Sequence, residues 1–191
     1  MENIFIIIFV TPYSKTTITG TALRSAYITI LMDYENGRLA RVRMIADYQF
    51  GKGIGKELFP DGSTFQLSRT KRIRQVFHSG KRIATARAKD GFFTLSIEGA
   101  SVIHRLLPGK KYRVVVSEDA APFVEKGKTA FIKHVVEIDP ELRAGEEVLV
   151  TDEADRLLAT GQLLLSPAEI LAFDSGAAVD VRAGVASKKE K

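Results

Sequence analysis

The sequence predicts an α+β protein. An N-terminal antiparallel sheet with helices is followed by a small β-barrel carrying two short helices. Three observations carry that prediction. Extended runs between Thr64 and Ile97 are separated by Ser79-Gly80 and Asp90-Gly91, dipeptides typical of tight hairpins. The charge changes sign near Pro108-Gly109: residues 1–110 hold 17 lysines and arginines against 8 acids, a net +9, whereas residues 111–191 hold 11 against 15, a net −4. The last 80 or so residues pack several short strands and two short helices between turn signals, the spacing of a small barrel.

Each element follows from its residues. After Asn36-Gly37, the apolar residues Leu39, Val42, Ile45 and Ala46 recur at helical spacing, and the helix should stop near Gly51. Gly51–Gly55 (GKGIG) reads as a flexible loop. Thr64–Ser68, Ile73–Phe77, Arg82–Lys89 and Phe92–Ile97 read as a meander, and Glu98–Leu107 as a helix ended by Pro108-Gly109. Tyr112–Val116 is a strand. A helix capped by Ser117 or Asp119 follows, with Pro122 in its first turn, where a missing N–H breaks no bond. Gly127 sits where a helix ends in a left-handed residue. Ala130–Glu137, Glu147–Thr151 and Leu157–Leu164 are further strands. Ser166-Pro167-Ala168-Glu169 forms a helix start with a capping box, Gly176 stops that helix, and Ala177–Val181 is the last strand.

Composition excludes several chemistries. Among 191 residues there is no cysteine, hence no disulfide, thiol nucleophile or cysteine-ligated zinc. His78, His104 and His134 have no metal-ligand spacing. These features predict a cytoplasmic protein without metal or other cofactor. Ile4–Val10 is apolar but seven residues long, against about 20 for a membrane span, so no membrane partner is expected. Residues 1–31 are read as an N-terminal extension. Either Ile4–Val10 is a buried or edge strand, or the chain proper begins at Met32. Residues 32–110 are read as a basic α+β domain, 111–184 as the barrel and 185–191 as a disordered tail.

The stretch Phe123–Val135 (FVEKGKTAFIKHV) contains Gly-Lys-Thr. It is not a P-loop: the residue five before Gly127 is Pro122, and the element order is helix, loop, strand rather than strand, loop, helix. Nor does GKGIG complete a dinucleotide fingerprint, because Lys56 stands where the last glycine belongs.

The pieces "YRVVV", "FVEKGKTAFIKHV", "LRAGEEVLVTD", "LLATGQLLLSPAEI" and "GAAVDVRAG" resemble, in order, the PUA domain, an RNA-binding module of pseudouridine synthases and archaeosine transglycosylases. Upstream, "IADYQFGKGIGKELF", "LSRTKRIRQV" and "IATARAKDGFFTLSIEGASVIHRLLP" resemble the accessory domain that precedes the PUA domain in archaeal tRNA-guanine transglycosylase. In that family the catalytic aspartates and zinc-binding cysteines lie on a separate barrel. The resemblance therefore implies RNA handling without the chemistry, with RNA, tRNA above all, and a separate catalytic transglycosylase subunit as the expected partners.

The resemblance implies that Gly127, Lys128, Thr129 and Ala130 lie against RNA, flanked by Lys126 and Lys133, with Arg182 on the last strand adding a contact. Independently, Arg69–Lys89 holds eight cations and no acid. A surface normally mixes signs, so Arg72, Arg74, Lys81 and Arg82 are expected to form a basic sheet face for phosphates. Of Phe92, Phe93 and Phe131, which could stack bases, at least two are expected in the core. Asp47 with Tyr48 is the one acid–base pair a stand-alone enzyme would use, and it reads as structural. The function expected is support of tRNA modification, by gripping tRNA near its acceptor end; the alternative is a translation or ribosome-associated factor.

Overall fold

A computed structural model describes residues 37–187. The expectations for Ile4–Val10 and residues 1–31 lie outside the described residues. Among the described residues, those from Arg38 on form one compact unit, built on two hydrophobic cores.

The first core is a sheet with helices. Helix α1 covers residues 37–50 and buries the stripe Val42, Ala46 and Phe50. The GKGIG segment is not wholly a loop: helix α2 (Ile54–Leu58) begins inside it. Gly55 allows this, since a Cβ there would sit 2.2 Å from the Arg43 carbonyl oxygen of α1. Strands β1 (Thr64–Leu67), β2 (Ile73–His78), β3 (Lys81–Ala86) and β4 (Phe93–Leu95) pair antiparallel in the order β1-β2-β3-β4. Helix α3 (Ile97–Leu106) is capped by Ser96, whose hydroxyl accepts the Gly99 N–H. The rings of Phe59 and Phe93 meet edge to face at 5.1 Å in the middle of this core.

The second core lies in a six-stranded, nearly closed sheet. Its strands are β5 (Arg113–Val116), β6 (Ala130–Phe131), β7 (Val135–Ile138), β8 (Glu147–Asp152), β9 (Leu157–Leu163) and β10 (Ala177–Gly184), in the order β6-β10-β9-β8-β5-β7. Helices α4 (Ala121–Glu125) and α5 (Pro167–Ala172) complete it. The predicted capping box at Ser166 and Glu169 is formed.

Three local expectations are corrected. The single strand expected over Ala130–Glu137 is broken by a 3-10 turn at Ile132–His134, so that β6 pairs with β10 while β7 pairs with β5. Helix α4 starts after Ala120 with no side-chain cap; the Ser117 carbonyl instead accepts the Ala120 and Ala121 N–H groups, both at 3.1 Å. The segment after Gly184 is held as far as Ser187: Val185 N–H donates to the Leu158 carbonyl (2.8 Å) and Ala186 N–H to that of Glu125 (2.9 Å).

The two cores are joined by polar bonds as well as packing. Leu149 of β8 is buried in the first core. Tyr112 sets its ring against Phe50 and donates its hydroxyl to the Gln49 carbonyl. Arg87 reaches the Gly145 carbonyl at 2.9 Å. Glu147 is fully buried; its Oε1 accepts the Leu95 N–H of β4 (2.9 Å) and the Thr160 hydroxyl (3.1 Å).

Candidate nucleic-acid interface

The turn after α4 is rigid for backbone reasons. Gly127 takes φ +87°, a left-handed value that glycine adopts without steric penalty. Its N–H donates to the Val124 carbonyl (2.8 Å) and the Lys128 N–H to that of Phe123 (3.1 Å). These two hydrogen bonds are the Schellman end of a helix. Behind the turn, Gly184 of β10 packs directly on it. A Cβ at Gly184 would lie 2.2 Å from the Glu125 carbonyl oxygen and 2.6 Å from the Gly127 nitrogen.

On this backbone Lys126, Lys128 and Lys133 are exposed, Thr129 is half-buried, and Ala130 is buried where β6 pairs with β10. None of the three lysines has an ion-pair partner among the described residues. Strand β6 is the edge of its sheet, so the turn faces outward. Two exposed rings, Phe123 and Phe131, flank it. Sequence reasoning missed Phe123, and the expectation that at least two of Phe92, Phe93 and Phe131 lie in the core is corrected: only Phe93 is fully buried, Phe92 is half-buried and Phe131 exposed. A two-residue edge strand leaves Phe131 no second layer to pack into.

Arg182 has structural partners. Its guanidinium pairs with buried Glu147 and donates to the Gln162 Oε1 at 3.0 Å. The register of β10 against β9 skips Arg182, a bulge that re-aims its side chain. Burial pushes the Glu147 carboxyl above the usual glutamate range, against the pull of Arg182 and the bonds from Leu95 and Thr160.

The basic segment does not form one sheet face. The register places Val76 beside Phe65 and Ala84, all turned to the core, and Gln75 beside Gln66 and Thr85, turned outward. The pairing skips Arg74, so Ile73 returns to the core side. The expected alternation of Ile73, Gln75 and Phe77 on one face is therefore corrected by a bulge that one-dimensional periodicity cannot see. Arg69, Lys71 and Arg72 occupy the β1–β2 loop at one end of the sheet. Lys81 and Arg82 flank the β2–β3 hairpin at the other end, a strand's length away, roughly 15–20 Å. Lys81 lies 3.7 Å from Glu98.

Several other titratable groups have partners within the protein. Asp47 Oδ1 accepts the Gly55 N–H at 2.6 Å, as its position at a helix end suggested. His104 Nε2 meets Asp155 (3.2 Å), which also binds the Arg113 Nε (2.8 Å). His134, in the 3-10 turn, presents one nitrogen, Nδ1, to both Asp119 (3.4 Å) and Ser117 (3.5 Å). A nucleophile relay needs the two on opposite nitrogens. The Ser117 hydrogen bond, with His134 nearby, holds the Asp119 carboxyl below its ordinary range. His78, expected at the surface, is half-buried.

Comparison with known proteins agrees with this architecture. Residues 40–110 match the patch-forming domain C2 of tRNA-guanine transglycosylase, and residues 112–185 match the PUA domain. The chain is 51% identical over 148 residues to tRNA-guanine(15) transglycosylase of Pyrococcus furiosus, covering 78% of this chain and 25% of that protein. It is 42% identical over 147 residues to the same enzyme of Thermoplasma acidophilum, covering 76% and 23%. The chain thus spans about a quarter of the length of the curated relatives it matches. Among solved structures, a hypothetical protein from Pyrococcus horikoshii OT3 superposes with a TM-score of 0.61 at 21% identity, over 78% of this chain and 91% of that one. A conserved PUA domain protein from Thermoplasma acidophilum superposes at 0.54 and 18% identity, over 81% and 91%. Both share the fold.

Proposed function

We propose that this chain, which resembles the C2 and PUA domains of archaeal tRNA-guanine transglycosylase, is a non-catalytic RNA-binding protein that grips tRNA near its acceptor end. It supports tRNA modification as a subunit or delivery factor for a transglycosylase-like catalyst. The carrying observation is the Lys126–Ala130 turn. It combines three exposed lysines, unpaired among the described residues, with a backbone fixed by two helix-end bonds and by the Gly184 contact. A fixed backbone lets phosphates approach without an ordering cost, and each lysine adds a counterion-release contribution. The non-catalytic part is supported by the resemblance, which covers the C2 and PUA domains and about a quarter of the curated relatives' length, and by His134, whose Nδ1 alone faces both Ser117 and Asp119.

The supporting role is tested by mixing the purified chain with a transglycosylase catalytic chain and tRNA. A stable complex and faster guanine exchange are expected. Neither complex nor change in rate would remove the delivery role.

A further inference from the structure

Tyr48 is the most exposed large ring among the described residues, at 80%. It contributes nothing to the core, because α1 buries Val42, Ala46 and Phe50 on its other side. Its ring stacks on Phe92, with centroids 6.0 Å apart and planes 14° from parallel. The Arg87 guanidinium also lies over the Phe92 ring, 5.6 Å from its centroid. Arg87, Phe92 and Tyr48 thus form one stacked group whose outermost member, Tyr48, is exposed.

Hydrogen bonds hold Arg87 and Phe92 in place. Arg87 Nε binds Asp90 (3.1 Å) and its NH1 binds the Gly145 carbonyl. The Phe92 N–H donates to Asp90 (3.0 Å), and its carbonyl accepts the Arg87 N–H (2.8 Å). Next door, Gln49 holds both the N–H (2.7 Å) and the carbonyl (2.9 Å) of Phe93. A ring presented on so fixed a base loses little freedom when something lands on it.

The surroundings are cationic. Arg41 precedes Tyr48 by two helical turns on the same face, and Lys52 follows it; both are exposed. Lys89 lies in the loop that carries Phe92. The Arg69–Arg72 loop lies at the same end of the sheet, since β1 ends and β4 begins there. None of Arg41, Lys52, Arg69, Lys71, Arg72 or Lys89 has an ion-pair partner among the described residues.

We infer that Tyr48 is the landing site of an unpaired RNA base, stacked on its exposed ring, with the strand's phosphates running toward the Lys89 and Arg69–Arg72 loops. The pairing of an aromatic platform with unpaired cations is the chemistry of single-strand recognition, tolerant of sequence because every base has a π face. This site rests on the RNA-binding reading above and adds to it a second contact, on the first core rather than on the Gly127 turn.

The test uses the full chain and an unstructured oligoribonucleotide carrying one 2-aminopurine, whose fluorescence falls when it stacks. Quenching on binding is expected. Tyr48→Ala should weaken binding roughly five- to hundredfold and abolish the quench, and Tyr48→Phe should keep both. Thermal melting should be unchanged in Tyr48→Ala, since the ring is exposed. Equal affinity and quench in Tyr48→Ala, with tRNA still bound, overturns this inference alone. Failure of the chain to bind any RNA overturns both readings.

Discussion

Glu147 is the residue on which most depends, and its chemistry was invisible in the sequence. It reads as one more acid in "AGEEVLVTD", beside Glu146. In the fold it is fully buried, and one carboxylate serves Leu95 of the first core, Thr160 of the neighbouring strand and Arg182 of the last strand. Glu147→Ala would leave the Leu95 N–H without its acceptor in the interior, whereas Arg182, with 31% of its side chain exposed, can turn to water. It should destabilise the protein by about 1–3 kcal/mol in chemical denaturation, beyond an exposed acid such as Glu153. Arg182 carries the same lesson in reverse. Its resemblance to a family contact placed it against RNA, and the structure gives its guanidinium a partner inside the protein. Polar pairs between strands far apart in sequence have no local signature.

At the scale of elements, what is periodic or punctuated was legible. The capping box at Ser166, the helix end at Gly127, the hairpins at Ser79-Gly80 and Asp90-Gly91, and the apolar stripe of α1 all stand where local chemistry placed them. What failed depends on pairing. The bulge at Arg74 moves Val76, not Gln75, into the core, and the 3-10 turn at Ile132–His134 divides one expected strand between two neighbours. The candidate turn shows how elements build a site. Its shape comes from Gly127 by its dihedral angle and from Gly184 by close approach. Gly184→Ala would drive a Cβ into two backbone atoms that cannot yield like a side chain. It should cost about 1–3 kcal/mol or more in stability and weaken RNA binding at the turn. A melting curve and an RNA titration equal to the parent protein would show that this contact does not shape the site.

For the whole molecule, the sign change at Pro108-Gly109 suggested two units with separate tasks, but the cores are tied together through Leu149, Tyr112, Arg87 and Glu147. The lysine turn and the cationic ends of the sheet are thus held on one body. A single RNA bound by both would meet them at a fixed separation. The resemblance to C2 and PUA domains covers most of the described chain, and it is the part of the function most legible in sequence. Which side chains touch RNA was less so, because cations alternate along a strand but cluster at the loops only after folding. The most direct test of the account is binding to intact tRNA and to the same tRNA with its 3′ end trimmed, across a salt series, with Lys128→Ala in parallel. A steep loss of affinity with salt, weaker binding to the trimmed tRNA, and a shallower salt dependence in Lys128→Ala, by roughly 0.7–0.9 in the log–log slope, are expected. Equal affinity for trimmed and intact tRNA, or for an unrelated RNA of the same length, would contradict this.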